Sequence, residues 1–541
     1  MTPHASRILL ALLGALLLAP APRGAEPDRP RLIVILAVDQ MRADYLDKFD
    51  HQWTRGLRRL VDEGAVFEQA AHSYFGTLTC AGHATIATGA LPATHGMILD
   101  GWWDAQAGRR IRCTADPSAA VVRYGTGGRE QHGPATLMVP TLSDELRGQL
   151  GVPPRIVALA VKGRAAIPLA GHRADAVAWF DDGNSWTTST AFTPAPVPAL
   201  AEFFAANPVE ADRGRQWSPS LPASAYLYGD ALEGTDGRAE VPPFTHRLPD
   251  ADDADADEFY TAWRTSPFSD DYVARLAEAA VDGLELGQGT RTDYLAIGFS
   301  GADYVGHEFG PRSLEVQEEF VQLDATLGRL LDHLDRAIGP DRYVVALTAD
   351  HGVAPIPEWA VEHGFDAGRI DRGEMVERVN AALEPFLGPG EHAVAMVHIE
   401  FSFAPGVYDR LLADPAAMQA ALDAIRSNPG VARVYRREEL ESGTARDPLT
   451  RQVAASYYPG RSGELVIIPK PYWYTWNRGA DHGTGYAYDT RVPLILMGSG
   501  VRPGRYRSPA DPTDIAPTLA VLAGVTLAQS DGRVLAEALE R

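Results

Sequence analysis

Cysteine is rare in this sequence. Only Cys80 and Cys113 occur among 541 residues, so a disulfide framework is excluded. The two residues are also too far apart along the chain for the closely spaced thiolate pairs of a zinc site. In an oxidising compartment they could pair with each other or stay free, and the sequence alone leaves both outcomes open.

Positive charge is scarce as well. Lys and Arg together number 49 against 71 for Asp and Glu, which gives a net charge of −22. This balance argues against a nucleic-acid-binding protein and against a protein that binds an anionic membrane surface, because both partners need a basic footprint. It leaves room for a small anionic substrate, since a pocket can be locally positive inside an acidic protein.

No apolar run reaches the roughly 20 residues that span a bilayer. The run Ile8–Leu18 follows Arg7 and precedes small residues at Ala19, Ala21 and Ala25. This pattern predicts a cleaved signal peptide over residues 1–25, and therefore a periplasmic or secreted protein. There is no cysteine near residue 20, so a lipoprotein anchor is not expected.

Four short apolar runs have the composition of buried parallel strands. They are Leu32–Val38, Tyr294–Phe299, Tyr343–Leu347 and Pro493–Met497. Between the second and third, apolar residues spaced by threes and fours from Val316 to Ile338 predict an amphipathic helix. Strand, helix and strand form a crossover unit, so we expect an α/β fold with a mostly parallel central sheet flanked by helices.

Two stretches fit this alternation poorly, at about 186–289 and about 361–465. The first is rich in proline and contains the acidic run Asp250–Glu258, which is interpreted as a solvated loop rather than a cation site. The second has its own helix and strand signals at Met418–Ile425 and Val431–Tyr435. We expect both to be insertions that cap one α/β domain spanning residues 26–541.

Six candidate metal ligands lie at the ends of the predicted strands. They are Asp39, Asp303, His307, Asp350, His351 and His482. Because open α/β sheets bind ligands beyond the carboxyl ends of their strands, we expect these side chains to meet there. Three carboxylates and three imidazoles form two sets of mixed oxygen and nitrogen ligands, which suit a pair of zinc ions that act on a phosphoryl group.

Thr79 is the candidate nucleophile. It lies within Gly76–Gly89, where the residues from Ala81 onward predict a short helix. A hydroxyl at a helix N-terminus lies beside free backbone N–H groups, which bind anions, and a metal ion would lower its pKa. Without the metal ligands, a simple capping threonine would be the better interpretation.

These residues together resemble the alkaline phosphatase superfamily, and in particular the bacterial phosphate-irrepressible alkaline phosphatases. The resemblance runs from Val38-Asp39-Gln to Asp514-Ile-Ala-Pro-Thr518. It implies an alkaline-phosphatase-like fold, small-molecule phosphate monoesters as substrates, a phosphothreonine intermediate on Thr79, two zinc ions per chain and a monomer. It implies that one zinc ion is held by Asp303, His307 and His482. It implies that the other is held by Asp39, Asp350, His351 and Thr79.

The monoesterase branch of this superfamily is marked by a Lys and an Arg that grip the phosphate, and Lys162 and Arg164 match them. One position differs, since Asp100 stands where the branch has an asparagine that donates to a phosphate oxygen. An ionised carboxylate donates no hydrogen bond and repels a dianion. It could be protonated, could pair with Lys162 or Arg164, or could turn away from the phosphate.

Other activities are weaker interpretations. A phosphodiesterase is the main alternative, because Asp100 weakens the grip on a monoester. Cys80-Ala-Gly-His does not match the sulfatase nucleophile motif, a predicted signal peptide disfavours a cytosolic phosphoglycerate mutase, and the complete ligand set disfavours an inactive binding protein. The aromatic residues between Tyr472 and Trp476 could wall the leaving-group side or pack in a core.

Overall fold

The computed structural model describes residues 29–540 except 126, 129, 228–243, 251–255 and 445. The predicted signal peptide lies outside the described residues, as does most of the acidic run Asp250–Glu258. Among the helices of the described part, none is both long enough and apolar enough to cross a bilayer.

The strands of the described part fall into one large sheet and several small ones. They are β1 (Leu32–Val38), β2 (Ala65–Phe67), β3 (Gly101–Asp104), β4 (Arg109–Arg112), β5 (Val121–Arg123), β6 (Ile156–Ala160), β7 (Ala176–Phe180), β8 (Trp186–Ser189), β9 (Gln216–Trp217), β10 (His246–Arg247), β11 (Asp293–Phe299), β12 (Tyr343–Thr348), β13 (Gly368–Arg369), β14 (Ala393–Val397), β15 (Glu400–Phe403), β16 (Val431–Arg436), β17 (Leu465–Pro469), β18 (Trp473–Tyr474), β19 (Leu494–Gly498) and β20 (Gly504–Tyr506).

The helices flank these sheets. They are α1 (Tyr45–Lys48), α2 (Gly56–Glu63), α3 (Thr79–Thr88), α4 (Pro92–His95), α5 (Leu142–Gln149), α6 (Gly163–Ala170), α7 (Pro198–Ala206), α8 (Ala256–Arg264), α9 (Pro267–Gly283), α10 (Gly301–Phe309), α11 (Leu314–Ala337), α12 (Pro357–Glu362), α13 (Arg372–Leu387), α14 (Val407–Ala413), α15 (Pro415–Arg426), α16 (Arg437–Glu441), α17 (Pro448–Ala454), α18 (Ala487–Thr490) and α19 (Ile515–Ala523).

The central sheet has ten strands in the order β20-β2-β19-β12-β1-β11-β6-β7-β8-β5. Strand β1 lies between β11 and β12 and is parallel to both, and every residue of Leu32–Val38 is fully buried. Such burial on both faces is why these strands are continuous apolar runs without alternation. The expected α/β fold with a mostly parallel sheet is confirmed.

The fourth predicted strand corrects the prediction in one respect. It is present as β19, but it pairs antiparallel with β12, with Leu494 opposite Thr348. Burial between helices makes an antiparallel strand look the same as a parallel one in sequence, since hydrophobic periodicity carries no direction. The antiparallel direction places the residues that precede β19 at the edge where β1, β11 and β12 end.

Helix α11 confirms the predicted amphipathic helix. The apolar stripe from Val316 to Ile338 is buried. The helix begins after Ser313, whose hydroxyl accepts a hydrogen bond from the Val316 N–H, and its C-cap is Ile338. Helices α10 and α11 carry the chain from β11 to β12 across the central strand β1.

The stretch 361–465 contains most of a second, smaller sheet. Strands β14, β15, β17 and β16 lie side by side in that order, and the predicted helix and strand are found as α15 and β16. Helices α13 and α15 pack with this sheet around a separate hydrophobic core. We call this unit the small lobe.

The stretch 186–289 is partly continuous with the large sheet. Its first residues form β8, which pairs with β7, and its helix α9 packs against α11. That the two stretches act as caps stays a prediction. The two cysteines are joined as a disulfide, which ties the first turn of α3 to the end of the β3–β4 hairpin.

Candidate active site

The candidate ligands converge at one edge of the large sheet. Asp39 directly follows β1, Asp350 follows β12, and Asp303 lies in the first turn of α10 after β11. His482 reaches the same edge because β19 runs antiparallel to β12. The sheet therefore brings together residues that are up to 443 positions apart.

One cluster consists of Asp39, Asp350 and His351, all of them completely buried. The Nε2 atom of His351 lies 3.4 Å from Oδ1 of Asp39 and 3.2 Å from Oδ2 of Asp350. Burial, and the neighbouring carboxylates of Asp303 and Asp350, raise the pKa of Asp39 well above its usual range. A divalent cation between these atoms would relieve that repulsion.

The other cluster consists of Asp303, His307 and His482 and lies next to the first. Oδ1 of Asp303 is 3.2 Å from Nε2 of His307 and 3.7 Å from Nε2 of His482. The rings of His482 and His351 stack with their centroids 3.5 Å apart, so the two clusters adjoin. His307 and His482 also group with Asp481, which the sequence analysis did not propose as a ligand.

The orientation of the histidines fits metal binding. The Nδ1 atoms of His307, His351 and His482 lie 2.7–3.0 Å from the backbone carbonyls of Ala480, Gly352 and Thr77. If each Nδ1 donates its proton there, each Nε2 presents a lone pair to its cluster. Burial lowers the pKa of His351 and of His482, which favours this neutral form.

The distances between ligand atoms also fit a metal ion. Tetrahedral zinc with bonds of about 2.0–2.2 Å separates its ligand atoms by about 3.3–3.6 Å. The observed separations of 3.2–3.7 Å bracket this range. Oδ1 of Asp39, Oδ2 of Asp350 and Nε2 of His351 are buried and have no hydrogen-bond partner among the described residues. These clusters could bind metal ions.

Lys162 lies between the two clusters. Its ammonium group contacts Oδ2 of Asp39 at 2.6 Å and also Oδ2 of Asp303, and it lies over the Tyr304 ring. Burial opposes its charge, but Asp303 and Asp39 outweigh burial and raise the pKa of Lys162 above its usual range. Lys162 does not line the open cavity, so its predicted grip on a phosphate stays a prediction.

Thr79 is the first residue of α3, two positions earlier than the predicted start of the helix. It is almost completely buried, and it lines the cavity next to the two clusters. Helix α3 packs directly on the end of β12, because a Cβ added to Gly82 would lie 2.4 Å from Cβ of Asp350. Glycine thus permits the close approach of the helix to this ligand.

Asp100 takes the second of the three outcomes left open by the sequence. Its Oδ2 forms an ion pair with Nε of Arg164 at 3.0 Å. Its Oδ1 accepts a hydrogen bond from the Cys80 N–H at 2.9 Å. Asp100 therefore occupies two groups that could bind an anion, a guanidinium group and the N-terminus of α3.

Two further residues were missed by the sequence analysis. Gln40 has a left-handed φ of 67°. Its backbone N–H donates to the Asp350 carboxylate at 3.2 Å, and its side-chain amide donates to the Asp303 carboxylate at 2.9 Å. Nδ1 of His83 lies 2.8 Å from the Thr79 carbonyl and 3.2 Å from the Asp350 carboxylate. Their positions in the sequence could have indicated them, since Gln40 follows the first candidate ligand and His83 lies one helical turn beyond Thr79.

A cavity of about 490 Å³ opens above Thr79, Asp303 and His482. Both stretches predicted as caps contribute to its wall, including Arg264 from the first and His398 from the small lobe. Of the four aromatic residues between 472 and 476, Trp476 lines the cavity and is 44% exposed. Trp473 instead packs against the core of the small lobe.

The fold and the clustered ligands place the chain in the alkaline-phosphatase-like class, and comparison with known proteins agrees. The crystal structure of wild-type alkaline phosphatase PafA superposes with a TM-score of 0.84 at 29% identity, covering 96% of this chain and 100% of that one. A PafA mutant with substitutions of a threonine, an asparagine, a lysine and an arginine matches equally well.

The sequence comparisons identify the family. Residues 33–487 match the type I phosphodiesterase / nucleotide pyrophosphatase family, and the chain belongs to this family within the alkaline phosphatase superfamily. PafA from Elizabethkingia meningoseptica is 30% identical over 507 residues, which cover 91% of each chain. Alkaline phosphatase PhoK from Sphingomonas sp. is 32% identical over 540 residues, covering 94% of this chain and 91% of PhoK. The chain is a hydrolase of the alkaline phosphatase class.

Proposed function

We propose that the chain is an exported, monomeric alkaline phosphatase that hydrolyses small-molecule phosphate monoesters through a phosphothreonine on Thr79. One zinc ion would be held by Asp303, His307 and His482. The other would be held by Asp39, Asp350, His351 and Thr79. The observation that carries the proposal is the placement of a threonine hydroxyl at a helix N-terminus, beside two adjoining clusters of candidate ligands with zinc-like spacing.

In the first half-reaction, Oγ1 of Thr79 attacks phosphorus, the bond to the leaving oxygen breaks, and the threonine proton departs with the alcohol. In the second, water attacks the phosphothreonine, which releases inorganic phosphate and restores the hydroxyl. Bound metal ions would lower the pKa of the Thr79 hydroxyl and would place positive charge beside the phosphoryl oxygens.

The chain's own residues orient the phosphoryl group. The first turn of α3 and the Arg164 guanidinium group both lie at the cavity, but Asp100 accepts from the Cys80 N–H and pairs with Arg164. A phosphoryl group would therefore share these two groups with the Asp100 carboxylate or displace it. Lys162 supplies a fixed positive charge between Asp39 and Asp303. The PafA mutant supports these roles, since it replaces a threonine, a lysine and an arginine together with an asparagine.

Phosphodiester hydrolysis is the second candidate. The Asp100–Arg164 ion pair favours it, because this pair reduces the positive charge available to a dianionic monoester. A diester carries only one negative charge and loses less from the presence of a carboxylate.

The deciding experiment compares kcat/KM for a nitrophenyl phosphate monoester and the corresponding diester, with zinc supplied and after chelation. We expect a preference for the monoester that is lost on chelation and restored by zinc. A preference for the diester would overturn the monoesterase proposal in favour of the second candidate. Hydrolysis that survives complete removal of metal would overturn the assignment of the metal ligands.

A further inference from the structure

The outer wall of the cavity is rich in arginine, although the chain as a whole has a net charge of −22. Arg110, Arg264, Arg372 and Arg478 line the cavity in addition to Arg164. They come from separate parts of the fold: the β3–β4 hairpin, the end of α8, the start of α13 and the loop after β18. Their meeting at one opening is a property of the tertiary structure.

Arg110 and Arg372 are not neutralised by partners in the described part of the chain. Within that part, neither guanidinium group has a carboxylate within 4 Å, whereas Arg164 pairs with Asp100 and the nearby Arg112 pairs with Asp182. The Arg110 side chain lies back over Gly101, with Nε 3.1 Å from the position of a Cβ there, and so is held beside Asp100.

Arg110 and Arg372 are close enough to repel each other. Burial first, and then the charges of Arg372, Arg112 and Arg164, lower the pKa of Arg110 despite the opposing effect of Asp100. In the described part of the chain neither guanidinium group forms an ion pair, so both can bind an anion that enters the cavity. A guanidinium group suits a phosphate, since it can donate two parallel hydrogen bonds to it.

The position of this pair defines where the anion would lie. Thr79 is on the floor of the cavity and the arginines are on its wall, so an ester bound at Thr79 directs its leaving group towards the wall. The cavity volume of about 490 Å³ falls within the range of small-molecule sites and exceeds what one phosphoryl group needs. The acidic residues Asp182 and Glu308 also line the cavity, and Asp182 is paired with Arg112 on the same strand as Arg110.

We propose that Arg110 and Arg372 form a second anion subsite that selects phosphate monoesters whose leaving group carries another phosphate. This inference rests on the proposed phosphomonoesterase activity and adds a substrate class to it. The reaction is unchanged: Thr79 takes one phosphoryl group, and the second phosphate leaves with the alcohol.

The test uses alkanediol monophosphates and the matching bisphosphates with chains of three, five and seven carbons. For the best-fitting length we expect kcat/KM to be about 10- to 100-fold higher for the bisphosphate, from two charge-assisted contacts. Arg110→Gln and Arg372→Gln should each lower this ratio, and the double variant should bring it close to the statistical factor of two. Arg109→Gln is the matched control, since Arg109 is the neighbour of Arg110 on β4, is exposed like Arg110 and does not line the cavity.

A wild-type ratio close to two at every length would overturn the subsite, while the monophosphate would still report phosphatase activity. A high ratio that the double variant retains would also overturn it. If the wild type hydrolyses neither compound with zinc supplied, the proposed function itself fails, and the subsite fails with it.

Discussion

The floor and the wall of the cavity are built in different ways. At and beneath the floor, Asp39, Asp303 and Asp350 follow the ends of neighbouring strands, and each is at most 1% exposed; of the three, Asp303 lines the cavity itself. On the wall, Arg110, Arg372 and His398 come from a hairpin, a helix start and a turn of the small lobe. Under the proposals above, the sheet fixes the chemistry, and the segments that pack around it select the leaving group.

The largest expected effect comes from removing the nucleophile on the floor. Thr79→Ala should lower kcat/KM for a phosphate monoester by at least about 10³-fold, because no other hydroxyl occupies the start of α3 at the clusters. Steady-state assays with zinc supplied measure this. Thr88→Ser, at the far end of the same helix, is the control, and a Thr79→Ala enzyme with most of its activity left would rule out the phosphothreonine.

The next effect tests how closely the floor is packed. Gly82→Ala places a methyl group against Asp350 and should push α3 away from the end of β12. A displacement of about 1 Å can cost about 10²-fold in rate, and we expect a loss of that size in kcat/KM.

Two measurements accompany that variant. Its metal content should fall together with its activity if the ligand Asp350 moves. Gly151→Ala is the matched control, because a Cβ at Gly151 meets no neighbouring atom and its backbone is not left-handed. Full activity in Gly82→Ala would show that the helix and the strand end are not tightly coupled.

Asp100 lies where floor and wall meet, and its replacement should have a smaller effect of opposite sign. Asn at this position can still accept from the Cys80 N–H, but it releases the Arg164 guanidinium from its ion pair. We expect Asp100→Asn to raise kcat/KM for a monoester by about 3- to 10-fold. Asp104→Asn, on the same hairpin, is the control, and an unchanged or lower value for Asp100→Asn would refute this role.

The smallest effect on catalysis is expected inside the small lobe. Burial raises the pKa of Glu400 from its usual 4.5 to about 8, although the Gly463 N–H donates to this carboxylate. Between pH 4.5 and 8 the folded protein keeps a proton that the unfolded chain has lost, so the stability of the fold falls as the pH rises through this window.

Glu400→Gln removes that dependence, because an amide does not ionise. The melting temperature at pH 9 should rise by a few degrees relative to the wild type, with little change at pH 5 and with kcat/KM within about twofold. Glu391→Gln, at an exposed site of the same lobe, is the control. An equal shift at both pH values would contradict a titrating carboxyl group at this position.

The sequence predicts the floor better than the wall for a physical reason. Strands buried on both faces are continuous apolar runs, so an Asp at the end of one, such as Asp39, stands out at once. The sequence of β19 does not indicate its direction, because burial determines the composition of a strand whether it is parallel or antiparallel. The position of Lys162 between Asp39 and Asp303 depends on a register between distant strands, which one sequence does not contain.

The wall is harder still to predict. Arg110 and Arg372 are separated by 261 positions of unrelated sequence, and an arginine on a hairpin or at a helix start is ordinarily a solvated side chain. The packing of the small lobe against the β3–β4 hairpin brings them to one opening. The resemblance to the alkaline phosphatase superfamily identified the floor and was silent about them.

The antiparallel direction of β19 also determines the order in which the molecule can become functional. Asp39 comes from the beginning of the folded chain, and His482 comes from a loop that is anchored by a strand near its end. With the proposed ligands, the set is incomplete until the chain has been made as far as β19 and this strand has docked beside β12. Fragments that stop before Leu494 would contain Thr79 and His482 but lack the strand that positions His482, so under the proposed assignment they would be inactive.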